Sequence, residues 1–449
     1  MNDDAARSAP GARDAAVERF RTLVRIPTVS RDDPRLEDAD AFARFRASLA
    51  QLYPLVHTRL DLELIDGRHL LYRWAGEGTG RPSVLMAHHD VVPADEPGWV
   101  HEPFAAELAD GRIHGRGTLD DKGSLVAMLE AVEARLADGF TPAADLYVFS
   151  GSDEETFGTG AAHAVELLTA RGVRPGLVLD EGGAVARDAF PGLAGPVAYV
   201  GVAEKGIAGI RLTVHQPGGH AATPARDGAT TTLARAMVRL ETHPAPAQIA
   251  PPVSAMLRAI APLASGVRRR MFARPGAYRR VLTQALAARG GEAEAMVRTT
   301  RAVTRLTGSA ADNVIAERAT AVINARIAIG STLPQTVAQI RRAIRDDQVA
   351  IDVMYGEDPS PVSPSDGAVW DRLTDVIGAR FPGTVVAPYV MLQASDSRHF
   401  ARISDTVYRF VPFELTAAER GTLHAMDESI DVDDWTRGIA FYDALIGRL

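Results

Sequence analysis

Three motifs rich in acid or histidine each follow an apolar run in this 449-residue chain. His88-His89-Asp90 follows SVLMA at 83–87. Asp153-Glu154-Glu155 comes just after LYVFS at 146–150, and Asp180-Glu181 follows LVL at 177–179. A fourth acidic motif, GRGTLDDKG at 115–123, precedes a helical pattern. Imidazole and carboxylate together, with no cysteine in the chain, suit a divalent metal site without sulfur. Zinc is the first choice, with manganese or cobalt as substitutes. Residues i and i+2 of an extended segment point the same way. His88 can therefore ligate while Asp90 orients its ring, and His89 points away. Glu154 and Glu155 are adjacent and diverge, so one can bind metal while the other serves as general base. Singly, each motif has an ordinary reading: a satisfied histidine, a solvated acidic pair, a glycine turn. Together, each at a strand end or a helix start, they point to one site.

The elements that must position these groups are strands alternating with helices. Apolar runs at 83–87, 146–149 and 177–179 read as buried strands. The segment 122–138 reads as a helix with Leu125, Met128, Leu129, Val132 and Leu136 in one stripe, started by Asp120 or Asp121 as cap. Such alternation predicts an α/β fold, a mostly parallel sheet flanked by helices. Ligands then gather outside the carboxyl ends of the strands. Near Glu204 the pattern changes. Alternating strands at 207–215, 320–329 and 349–355, with helices at 230–240 and 335–344, predict a smaller α+β unit of the split βαβ, ferredoxin-like kind. The expected organisation is a catalytic first segment (1–203), an inserted lid or dimerisation domain (204–357), and a catalytic second segment (358–449). Within the insert, 241–300 reads as a helical excursion with a second helix at 278–288. Arg268, Arg269 and Arg270 beside an apolar stretch raise membrane or acyl-chain contact. The plainer reading, a solvated basic turn beside a helix packed on its own domain, is preferred.

Composition narrows the class. Net charge is −8 and pI about 5.9, which disfavours nucleic acid as the main partner. No run approaches the roughly 18 apolar residues of a membrane helix, so no stable membrane insertion is expected. The polar start shows no secretory leader. A reducing compartment is permitted by the lack of cysteine, and the expected location is cytoplasmic.

The run MAHHDVVPADEPGWVHEPFAAELADGRIHGRGTLDDKGS resembles the co-catalytic zinc metallopeptidases of the aminoacylase and carboxypeptidase G kind. It is most similar to their carboxypeptidase S branch, which includes the N-acyl amino acid hydrolases. The likeness continues through SGSDEETFGTGA, LVLDEGGAV, VAEKGIAGIRLTV, GGHAATP, NVIAERATAVINARI, PVSPSD, SDSRHF and YRFVPF, nearly the whole chain beyond about residue 20. This resemblance implies two metals. His88 would bind the first, with Asp90 behind it. Asp120 would bridge both, through a cis peptide to Asp121. Glu154 would be the general base, Glu155 a ligand of the second metal and Asp180 of the first. His424 of LHAMDES fits the closing ligand, with His399 as competitor. His220 would polarise the scissile carbonyl, reaching the site from a partner subunit in dimeric members. Asn313 would lie near the substrate, and Arg326 would hold its free carboxylate. Asp396 and Arg398 fall in a further substrate-side loop, where QASD at 393–396 departs from the family's usual Gly-x-Thr-Asp.

The implied activity is dinuclear, metal-dependent amide hydrolysis of an N-acyl amino acid or a short peptide, by a homodimer. The same metals could serve a desuccinylase-like or N-carbamoyl hydrolase. A non-catalytic binding protein is disfavoured by the presence of Glu154 with every expected ligand.

Overall fold

The computed structural model describes residues 10–188, 192–224 and 226–449. The first nine residues, where a leader would begin, lie outside the described residues. Among those described, no helix is long and apolar enough to cross a membrane.

The centre of a ten-stranded sheet is parallel, in the order Leu146–Gly151, Ser83–His88, Leu177–Asp180, Val407–Arg409. These strands are buried along their whole length, which is why they read as short continuous apolar runs and not as alternations. The hairpin Asp61–Ile65 and His69–Trp74 closes one side. Val197–Glu204, with Val385–Met391 paired parallel to it, extends the other. The helix Lys122–Ala137 lies where the pattern predicts it. However, every residue from Lys122 to Val132 is buried, so its apolar stripe has no solvated counterpart over those turns. Asp121 occupies the N-cap position but makes no capping bond; neither aspartate acts as the expected cap.

A four-stranded antiparallel sheet has the order Thr300–Thr307, Arg318–Ile327, Gly206–His215, Val349–Glu357. In chain order the strands and the helices Ala229–Thr242 and Leu333–Ile344 give the expected split βαβ arrangement. Along Arg318–Ile327 the odd residues Ala319 to Ile327 are buried in a core shared with both helices. The second helix begins on a capping box, in which Thr332 accepts from the Gln335 backbone and Gln335 returns the bond, a device worth about 1 kcal/mol. Thr300–Thr307 is not legible as a strand in the sequence, because most of this edge strand is exposed and shows no apolar alternation.

The excursion departs from expectation. Its helices Pro251–Ile260, Arg279–Arg289 and Gly291–Ala295 do not use the small sheet as their main support. Val253, Met256, Leu257, Ile260, Leu282 and Leu286 pack with Val197, Ala203, Ala387 and Val390 of the large sheet. The basic helix Gly266–Ala273 has no fully buried residue, and its Met271 and Phe272 pack partly against this cluster.

Candidate metal centre

Because the central strands are parallel, their carboxyl ends share one edge. His88 is the last residue of its strand, Asp180 the last of its own, and Glu154 and Glu155 follow Gly151 at the end of a third. Asp120 arrives on the loop before the helix Lys122–Ala137, joined to Asp121 by a cis peptide. His424 comes from the far end of the chain.

Asp120 sits at the middle. Its Oδ1 is 3.0 Å from His88 Nε2, and its Oδ2 is 3.0 Å from His424 Nε2. His424 Nε2 is also 3.0 Å from Glu155 Oε2. One carboxylate thus faces two histidines with its two oxygens. Behind His88, Nδ1 meets the Asp90 carbonyl at 3.0 Å and the Asp90 carboxylate at 3.4 Å. Asp90 also holds the neighbouring turn, where its two oxygens accept from the Glu154 and Glu155 backbone N–H groups at 3.3 and 3.2 Å. His89 turns the other way, stacked on Phe45 and bonded to Ser150 Oγ. His399 is buried in the short helix Ser397–Phe400, its Nε2 without a partner among the described residues. Among the described residues, no hydrogen bond or ion pair joins it to the acids around Asp120.

Asp180, expected as a ligand of the first metal, is buried at the end of its strand. Its Oδ2 accepts from the Ser397 backbone at 2.8 Å, whereas Glu181 Oε1 lies 3.7 Å from His88 Nε2. At a strand end, successive side chains face opposite ways, so only one of the pair can face His88. His88, Asp121 and Glu181 offer converging ligand atoms, as do His88, Asp120 and Glu155. The sequence reading assigns Glu181 no role. The signal is present in the Asp-Glu pair, but the choice between neighbours needs the strand's exact end.

The electrostatics are those of acids without enough counter-charge. Burial pushes Asp121, Glu154 and Glu181 well above the usual carboxylate range, and neighbouring carboxylates add to it. Glu155 is raised to about 7, by burial first and Asp120 next. Burial opposes ionisation of Asp120 as well, but its bonds to His424 and His88 win and hold it far down. His424 is raised to about 10 by those bonds to Asp120 and Glu155. Both oxygens of Asp121 and one of Glu155 are buried with no hydrogen-bond partner among the described residues. Unpartnered buried carboxylate oxygens are costly, and converging hard donors of this kind fit divalent cations.

Residues 84–448 match peptidase family M20/M25/M40. The chain belongs to this family. It is therefore an enzyme, of a metal-dependent hydrolase family. It is 33% identical over 413 residues to a probable carboxypeptidase S-like protein of Dictyostelium discoideum, covering 90% of this chain and 79% of that protein. It is 31% identical over 444 residues to the human N-fatty-acyl-amino acid synthase/hydrolase PM20D1, covering 97% and 88%. Among solved structures, an M20 family metallo-carboxypeptidase from Sulfolobus solfataricus superposes with a TM-score of 0.71 at 16% identity, covering 96% of this chain and 98% of that one. At that identity the likeness speaks to fold alone.

The remaining candidates surround this M20 centre unevenly. Arg326 lies largely buried, its Nη1 without a hydrogen-bond partner among the described residues. Glu154 is among the groups that act on it electrostatically. Asp396 is buried with neither oxygen hydrogen-bonded, and burial pushes its carboxyl well up. Arg398 bonds to Glu357 and to the Ser395 carbonyl. His220 is exposed on a two-residue ribbon, Gly219–His220 paired with Val314–Ile315. Its Nδ1 accepts from the Ala222 backbone. Asn313 lies beside it, accepting from Ala221 N. Among the described residues, neither is bonded to the acids around Asp120.

Proposed function

We propose that this chain hydrolyses the amide bond of N-acyl amino acids, or of short peptides at their C-terminal residue, with two divalent cations, zinc first among them. One observation carries the reading: the Asp120 carboxylate held between His88 and His424, with the buried Glu154 alongside. His88, Glu181 and Asp120 would hold one cation, with Asp121 behind them. Asp120, Glu155 and His424 would hold the other. Such a pair, when bound, acidifies a water and draws electrons from a carbonyl.

The chain's own groups do the rest. Glu154 takes a proton from the attacking water and delivers one to the leaving nitrogen as the C–N bond breaks. Its carboxyl, raised by burial and by the Glu181 charge, is the stronger base for it. Asp90 fixes both the His88 ring and the Glu154–Glu155 turn, so base and ligands are set by one buried carboxylate. Arg326 offers a fork to the free carboxylate of the substrate. His220 donates to the carbonyl oxygen as it gains charge. Since His220 is exposed on its ribbon, residues 204–357 act as a lid that must close, or as the part through which a second copy supplies the histidine. The name of the human relative supports an N-acyl amino acid as substrate, and that of the Dictyostelium one a peptide cut at its C-terminal residue.

The test is a panel of N-acyl amino acids and dipeptides with mass-spectrometric readout, with and without chelator, on the parent and on Glu154→Gln. Chelator-sensitive release of an amino acid by the parent, lost in a variant that keeps its metal, is expected. Turnover unaffected by chelator would reject the reading.

A further inference from the structure

We infer that Glu428 and Arg116 are positioning residues that lock the loop of Asp120 to the turn of His424, and so set the spacing of the second cation's ligands. The inference rests on the two-metal reading above and adds residues to which neither the sequence motifs nor the ligand set gives a role.

Glu428 is fully buried. Its two oxygens take four donors from one short loop. Oε2 accepts from Arg116 Nη1 at 2.6 Å and Gly117 N at 3.2 Å, and Oε1 accepts from Leu119 N at 2.7 Å and Asp120 N at 3.2 Å. Arg116, 3% exposed, completes the tie in the other direction. Its Nη2 donates to the Ala425 carbonyl at 3.0 Å, next to His424, and its guanidinium lies 5.2 Å from the Trp99 ring centroid. Two segments some 300 residues apart are thus joined by a charged pair whose hydrogen bonds all fall within five residues of Asp120 or His424.

The geometry of both segments asks for such a lock. Gly117 has φ +88, and a Cβ there would fall 2.9 Å from Val91 Cγ1, so the loop is a turn that only glycine fits. His424 and Asp427 also lie in the left-handed region, at φ +58 and +59. That conformation is uncommon for non-glycine residues, though His and Asp adopt it more readily than most. Asp427 is held by Val100 N at 2.8 Å, and Glu428 follows it directly. The residue types are specific. A glutamine at 428 has one acceptor oxygen, so its NH2 must face two of the four donors. A lysine at 116 cannot reach Glu428 and the Ala425 carbonyl together as a fork does.

The experiment is a Co2+ titration of the chelator-stripped full chain, followed by its visible absorption, on the parent, Glu428→Gln, Arg116→Lys and His424→Ala. The last variant marks the binding step that depends on His424. In Glu428→Gln that step should weaken about 10–100-fold, the usual effect of losing a partner behind a ligand, while the other step keeps its affinity. Arg116→Lys should weaken the same step less. A merely structural role would lower the unfolding temperature without separating the two steps. Parent-like affinity at the His424 step in Glu428→Gln overturns the inference, as does equal weakening of both steps. If Glu428→Gln does not fold, the same criteria apply to Arg116→Lys. A parent that binds fewer than two ions overturns the two-metal reading itself, and the inference with it.

Discussion

The floor of the site and the ribbon that carries His220 are opposite kinds of construction. On the floor, His88, Asp90, Glu154, Asp180 and Glu428 are nearly inaccessible, and the strand ends and loops around them hold them in place. On the ribbon, His220 and Asn313 are exposed, and a two-residue strand pair supports them. The floor grows from parallel strand ends whose positions are fixed by the core, so its geometry exists before substrate arrives. Under the proposed function, the ribbon's residues would come into use only when something moves or a second copy docks. Loss of a floor residue should therefore act on cation binding and on the bond-breaking step. Loss of a ribbon residue should act on turnover alone.

The sharpest break is expected from Asp120→Ala. It removes the carboxylate common to both ligand sets, and elemental analysis should find neither cation retained and no turnover. Glu154→Gln should keep the full complement of cations while kcat falls about 10²–10⁴-fold, the range of a lost general base; parent-like kcat would sink its assignment. His220→Ala should leave cation content untouched and lower kcat by about 10²-fold. If a second copy supplies His220, mixing this variant with Glu154→Gln should restore activity that neither shows alone. Arg326→Lys should raise KM about tenfold for substrates with a free carboxylate, and leave their C-terminal amides unaffected. The smallest effect concerns His399, buried outside the ligand set. Burial first, then Arg398 and Arg402, hold it down to about 3, against about 6.5 in an unfolded chain. The folded state therefore binds fewer protons than the unfolded one between these values. Its contribution to stability is present above pH 6.5 and is lost as pH falls toward 3. Denaturant titrations of the chelated protein should show a shallower loss over that window in His399→Gln.

Much of the floor is legible because buried parallel strands announce themselves as short apolar runs, and the acids stand directly after them. His88, Asp120 and Glu155 are brought together in the order the motifs suggest. The Asp180–Glu181 pair is not resolved by sequence, since which neighbour faces His88 depends on where the strand ends. Glu428 is invisible there as a functional residue. One acid in a C-terminal stretch carries no local pattern, and its four donors lie 308 to 312 residues away. The helices of 251–295 read correctly as helical, yet their support is not the one expected. An amphipathic helix declares that it has an apolar face, not which sheet that face will meet.

The sequence by itself determined the chemistry on offer: imidazole and carboxylate without thiolate, placed at strand ends, in an α/β chain with a smaller α+β unit between its two halves. These follow from residue type and from periodicities of two and 3.6, which are local. Only the tertiary structure decided that Asp120 faces two histidines at once, that Glu181 lies 3.7 Å from His88 while Asp180 accepts from the Ser397 backbone, and that Glu428 accepts from the loop of Asp120. Those relations span hundreds of residues, and packing of the core, not any local preference, sets them.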